Sequence, residues 1–154
     1  NIKTFDLALG SEDGTISFGV SNFDGGGSGA SSRFLKYSKR IQTTMRKLDD
    51  IIKEQKINKV DFIKADIEGG ELSMLKGAEK LLEHFRPKIL IEIVDMHCQR
   101  FGYSPMDVYQ FLINKGYKGV FIGNEYTEEK ANTSIGELAK PNVTNLLNGN
   151  YFFS

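Results

Sequence analysis

The sequence predicts an α/β domain, a mostly parallel sheet flanked by helices, and three observations carry that expectation. A strand-like run from Val60 to Ala65 leads through a turn into a helix-period stretch and on to a second strand-like run, Lys88 to Val94. Strand, helix, strand is the repeating unit of parallel sheets. The second run is apolar at Ile89, Leu90, Ile91, Ile93 and Val94, the pattern of a parallel strand buried on both faces. A further helix is announced by Ser104, Pro105 and Asp107: a cap residue, a first-turn proline and an early carboxylate.

In chain order, Lys3 to Leu9 alternates in polarity, Ser11 to Gly14 reads as a turn, and Thr15 to Val20 is a second short segment. Together they predict an irregular hairpin. From Asp24 to Ser32 the chain is almost all glycine, serine and alanine, with too little apolar surface to offset the entropy of ordering it, so a flexible loop is expected. A phosphate-binding glycine fingerprint needs a strand before it and a helix after it, and residues 30–40 read as neither. The pattern becomes regular from Ile41. Residues 1–40 are therefore read as a hairpin and a flexible glycine/serine-rich loop of the same domain, and residues 41–154 as its αβ core. The Asp49-Asp50 pair opens a helix and is most simply its cap. After the turn at Asp66 to Gly70, one helical stretch carries Leu72, Leu75, Ala78, Leu82 and Phe85 at spacings of three and four, an apolar stripe for a sheet. Glu71 favours the start of that helix through the dipole, and Pro87 stops it. Val108, Phe111 and Leu112 form the inner face of the later helix, which Gly116 closes. Lys118 to Ile122 and Asn150 to Phe153 are short strands, and the polar residues between them hold at most short helical turns.

Composition narrows the function classes. With 154 residues, 40% of them hydrophobic, the chain has material for one domain with a core. Twenty basic residues balance twenty acidic ones, so no global field recruits nucleic acid or an anionic membrane. The one cysteine, Cys98, excludes an intrachain disulfide and a four-cysteine zinc site, and a reducing, cytoplasmic location is expected. The longest apolar stretch is too short to span a bilayer, and no signal-peptide pattern opens the chain. A first residue of Asn1 is what an excised or processed piece would show.

In an open parallel sheet, ligands bind outside the carboxyl ends of the strands, where loops and helix N-termini converge. Asp66, Glu68 and Glu71 follow the first strand, and Glu92, Asp95 and His97 lie at the end of the second. Neighbouring strands are about 4.8 Å apart, so these groups face one crevice, suited to holding a hydroxyl substrate, removing its proton, or binding a hard cation. Each has an ordinary structural alternative. Asp66 can serve the turn as an acceptor, Glu68 and Glu71 the helix dipole, Glu92 a buried ion pair, and His97 can be a surface-loop histidine. His84, Cys98 and the sequons at Asn132 and Asn142 are assigned no chemistry.

Several of these segments, in their order and spacing, resemble a known family. Leu48-Asp49-Asp50, then Val60 through Ala65 with Asp66-Ile67-Glu68-Gly69-Gly70-Glu71, then Leu75-Lys76-Gly77-Ala78 and Ile89 through Ile93 look like the pattern of FkbM-type methyltransferases. Ala8-Leu9-Gly10 ahead of an acidic turn is similar to that family's third strand. The resemblance implies a Rossmann-like methyltransferase fold that uses S-adenosylmethionine to methylate a hydroxyl of a sugar or natural-product-like acceptor. It implies that Asp66 and Glu68 lie beside the methyl-donating end of the cofactor, that Ala8 and Leu9 lie near its adenine, and that Glu92 lines the acceptor side. Asp66 or His97 would take the hydroxyl proton, with no motif for a metal such as magnesium. Nothing in the chain matches the family's first strand with its glycine-rich turn or its second strand, both of which would precede Asn1. The fold is thus expected to be incomplete, with a gap of roughly 14 Å, about three strand spacings, between the third strand and the one ending at Asp66. Either the chain is one piece of a longer enzyme, or Lys3 to Val20 pairs elsewhere, for example with a second copy through an exposed sheet edge. The alternative function is a noncatalytic α/β binding or assembly module without the donor site.

Overall fold

The computed structural model describes residues 2–20, 39–123 and 148–154. The glycine/serine-rich stretch, the polar segment 124–147 and both sequons lie outside the described residues. Among the described residues, seven strands form two sheets. β1 (Ala8–Leu9), β2 (Gly14–Val20) and β3 (Lys39–Arg46) make a three-stranded sheet in the order β1-β3-β2. β4 (Phe62–Ala65), β5 (Lys88–Ile93), β6 (Gly119–Gly123) and β7 (Gly149–Phe153) make a four-stranded sheet in the order β4-β5-β7-β6. The helices are α1 (Leu48–Glu54), α2 (Glu71–Lys76), α3 (Glu79–Phe85), α4 (Asp95–Arg100) and α5 (Pro105–Asn114).

The α/β class holds, but both sheets are mixed. β4 pairs β5 in parallel, whereas β7 enters between β5 and β6 and is antiparallel to both. β4, β5 and β6 therefore share one direction and β7 alone opposes them. The hairpin expected between Lys3–Leu9 and Thr15–Val20 does not form. Only Ala8 and Leu9 are strand, and they pair in parallel with β3, while β2 pairs with β3 along its whole length. The eight-residue β3 offers a longer ladder than Lys3–Leu9 could, and it occupies the position between them. β1 and β4 sit in different sheets, so no sheet closes across the gap expected between them.

The core lies on one face of the four-stranded sheet. Ile89, Ile91 and Ile93 of β5 are fully buried with Tyr151 and Phe153 of β7, against Leu72 and Leu75 of α2, Leu81 and Leu82 of α3, and Val108 and Leu112 of α5. Each such side chain contributes roughly 1.5–3 kcal/mol. The opposite face is not equally covered. Leu90 and Glu92 are half-buried, Lys88 is exposed, and Phe62 on β4 is 50% exposed. β5 is therefore buried on one face rather than two, because α2, α3 and α5 pack on the isoleucine side.

The single helix expected from Glu71 to Phe85 is broken at Gly77–Ala78. The break is a joint between the two halves of the chain. A Cβ on Gly77 would collide with the carbonyl oxygen of Gly10, the Asp49 N–H donates to the Gly77 carbonyl at 2.9 Å, and the Gly10 N–H donates to Arg46 at 3.0 Å. Asp49 is indeed a cap, but of α3 rather than α1. Its carboxylate accepts the Lys80 and Leu81 N–H groups at 3.0 and 2.8 Å, two of the donors a helix start leaves unpaired.

Candidate functional site

The turn after β4 combines backbone strain with close approach. Glu68 has φ 57° and Gly69 φ 105°. A left-handed conformation costs a non-glycine residue roughly 1–2 kcal/mol, so neighbouring groups have to hold Glu68 there. Glu71, only 3% exposed, accepts the Ile67 N–H on Oε1 at 2.9 Å. The Tyr103 hydroxyl donates to the Gly69 carbonyl oxygen. At Gly69 itself a Cβ would lie 2.5 Å from the His97 carbonyl oxygen, so only glycine lets the turn seat against α4.

Seated in this way, the turn delivers Glu68 to His97. Glu68 Oε2 lies 3.0 Å from His97 Nε2, with both side chains largely shielded from solvent. His97 is on α4, a helix that sequence periodicity did not reveal, and not in a surface loop. Asp66 follows the last paired residue of β4, Ala65, and Glu92 follows that residue's partner on β5, Ile91. The two carboxylates thus sit at the ends of adjacent parallel strands, Asp66 3.2 Å from Lys64 Nζ and Glu92 opposite Asn150 on β7. Glu92 is half-buried, which relieves the desolvation cost expected of a carboxylate within a doubly buried strand. Ala8 and Leu9 belong to the other sheet. They are half-buried and make up β1, and just beyond it the Ser11 N–H donates to Ser73 Oγ of α2 at 3.0 Å.

The sequence reading missed Tyr103, because an aromatic residue between two helices carries no periodic signal and the chain distance to Gly69 is long. Glu71 does more than complement a dipole, since it ties the turn to its helix. Cys98 is buried beside these two groups. Burial, and then the Glu71 charge, push its thiol up to about 12, while a bond with Tyr103 works the other way, which leaves it an inert packing residue. Among the described residues, no three His, Cys, Asp or Glu side chains converge as a metal-ligand group.

A family model, the Methyltransferase FkbM domain, matches residues 3–118. The chain belongs to the FkbM methyltransferase family. No curated protein matches it. Among solved structures, the methyltransferase FkbM of Methylobacillus flagellatus KT is similar at 18% identity and a TM-score of 0.48, over 96% of this chain and 27% of that one. The chain therefore spans about a quarter of that protein's length. Every candidate residue from Ala8 to His97 falls within the FkbM span, and so does Tyr103. Two motifs within the span, Leu48-Asp49-Asp50 and Leu75-Lys76-Gly77-Ala78, meet at the Asp49–Gly77 joint. The Asp66–Glu71 element is the turn that carries Glu68. No helix among the described residues is long and apolar enough to cross a membrane.

Proposed function

We propose that this chain supplies the acceptor side of an FkbM enzyme that transfers a methyl group from S-adenosylmethionine to a hydroxyl oxygen of a small molecule or glycan. The observation that carries the reading is the Glu68–His97 pair, 3.0 Å apart, beside the ends of the parallel strands β4 and β5. A sulfonium methyl is already electrophilic, so what the protein adds is alignment of the acceptor oxygen and removal of its proton. With Nε2–H held by Glu68, His97 has its other ring nitrogen, Nδ1, to serve as the base. Asp66 and Glu92, at the strand ends, hold the acceptor through its hydroxyls.

The residues present fit the donor at two points. Half-buried Ala8 and Leu9 suit one apolar edge of an adenine, and the carboxylates of Asp66 and Glu68 suit a cationic sulfonium. The sequence offers no glycine-rich strand-to-helix turn for the rest of the donor, so this chain alone binds S-adenosylmethionine weakly or not at all. β4 is the outer strand of its described sheet, and its edge suits a strand from a longer parent or a second copy. The single reduced, buried Cys98 suits a cytoplasmic enzyme.

Calorimetric titration of S-adenosylmethionine into this chain and into an N-terminally extended version tests the reading. Binding to the extended protein alone supports it; binding to neither favours a noncatalytic module. Binding to both means that the donor is gripped without a glycine-rich turn. In the extended protein, His97→Gln is expected to lower kcat roughly 10²- to 10⁴-fold with donor affinity retained.

A further inference from the structure

Two buried groups and one half-buried group meet beneath the acidic turn: the Glu71 carboxylate, the Cys98 thiol and the Tyr103 phenol. We propose that Tyr103, acting with Glu71, is a positioning residue that holds the Glu68-Gly69 backbone in the left-handed turn that brings Glu68 to His97. The inference rests on reading the Glu68–His97 pair as part of the site.

A phenol has one proton to donate, and the closer acceptor is the Gly69 carbonyl oxygen, with Glu71 Oε2 at 3.4 Å. The other carboxylate oxygen of Glu71 takes the Ile67 N–H. The turn is thus held at Ile67 by Glu71 and at Gly69 by Tyr103, on either side of the strained Glu68. Tyr103 is itself fixed. Its N–H donates to the Cys98 carbonyl in α4 at 3.3 Å, and the next residue, Ser104, caps α5. The segment that carries His97 therefore also carries the brace for the residue His97 contacts, and Gly69 is gripped between the His97 carbonyl and the Tyr103 hydroxyl. Burial, and then the Glu71 charge, raise the Tyr103 phenol well above its ordinary range, so it remains a donor throughout the pH range in which such an enzyme works.

The chain has two histidines, which makes a spectroscopic test direct. Long-range ¹⁵N–¹H spectra of the neutral imidazoles report which ring nitrogen carries the proton, with exposed His84 as internal control. In the native chain His97 is expected in the Nε2–H tautomer. In Tyr103→Phe, which keeps the ring and removes only the hydroxyl, His97 is expected to shift towards a tautomer mixture. Exchange of the Ile67 amide should accelerate about tenfold, with His84 unchanged. A folded Tyr103→Phe chain with native His97 signals and native Ile67 protection overturns the proposal. If that variant does not fold, Glu71→Gln carries the same two readouts with the same expected changes, and native values there overturn it equally. Should the extended protein transfer no methyl group while these changes appear, the proposed function fails and the positioning role stands.

Discussion

At the scale of single residues, the positions that matter most are those where backbone meets backbone. Gly77 has an ordinary right-handed conformation, so it is not there for conformational freedom. It is there because any Cβ would strike the Gly10 carbonyl, and neither backbone can swing aside as a flexible side chain would. Gly77→Ala is accordingly expected to destabilise by about 1–3 kcal/mol, the usual range for overpacking. The urea midpoint should fall at unchanged slope; an unchanged midpoint would mean that the joint between the two sheets yields freely. The sequence marked Gly77 only as part of a motif, and the heptad-like spacing around it argued for an unbroken helix. Local spacing cannot register a contact with a residue 67 positions earlier. Asp49 makes the same point: its type announced a cap, and only the fold decided which helix it caps.

At the scale of elements, a helix start whose signals lie within one turn was legible, whereas the Lys3–Val20 hairpin and the unbroken helix were not borne out. Ser104, Pro105 and Asp107 predicted the start of α5, and in the structure Asp107 Oδ2 accepts both the Ser104 N–H and its hydroxyl at 2.7 Å. The backbone bond with Ser104, and next its hydroxyl, hold the Asp107 carboxyl below its ordinary range. A carboxyl lowered on folding adds stability that is complete above its unfolded-state value and is lost as pH falls through the folded value. Asp107→Asn should therefore flatten the acid limb of the stability profile while changing neutral stability by only about 1 kcal/mol. Urea midpoints measured from neutral to acid pH check this, and an identical acid slope in the variant would remove Asp107 from the account. By contrast, α4 was not legible. It is six residues long, short of two turns, and its N-terminal N–H at Asp95 is taken by the side chain of Asn148, 53 residues later.

At the scale of the whole molecule, the two sheets are unequally supported. The four-stranded sheet supplies the buried core with α2, α3 and α5. In the three-stranded sheet, the residues from Arg40 to Arg46 are all exposed or half-buried. That sheet is tied to the rest through the Gly10–Gly77 approach and through the Ser11 N–H, which donates to Ser73 Oγ of α2 at 3.0 Å. Local opening is easiest where few apolar contacts resist it. Native-state hydrogen exchange is thus expected to release β2 and β3 amides on the order of 100-fold faster than those of β5 and β7. Equal protection in both sheets would show one cooperative unit instead.

The sequence by itself determined the α/β class, most of the segments of the four-stranded sheet and its flanking helices, the FkbM resemblance and the candidate acids, because periodicity, caps and motif spacing are properties of neighbouring residues. Tertiary structure alone decided that β7 runs against its neighbours, that β1 and β2 both pair with β3, and that Glu68 rather than Asp66 meets His97. Those outcomes depend on which distant surfaces bury each other and on a strained turn held by Tyr103 and Glu71, and chain-local pattern carries no record of either.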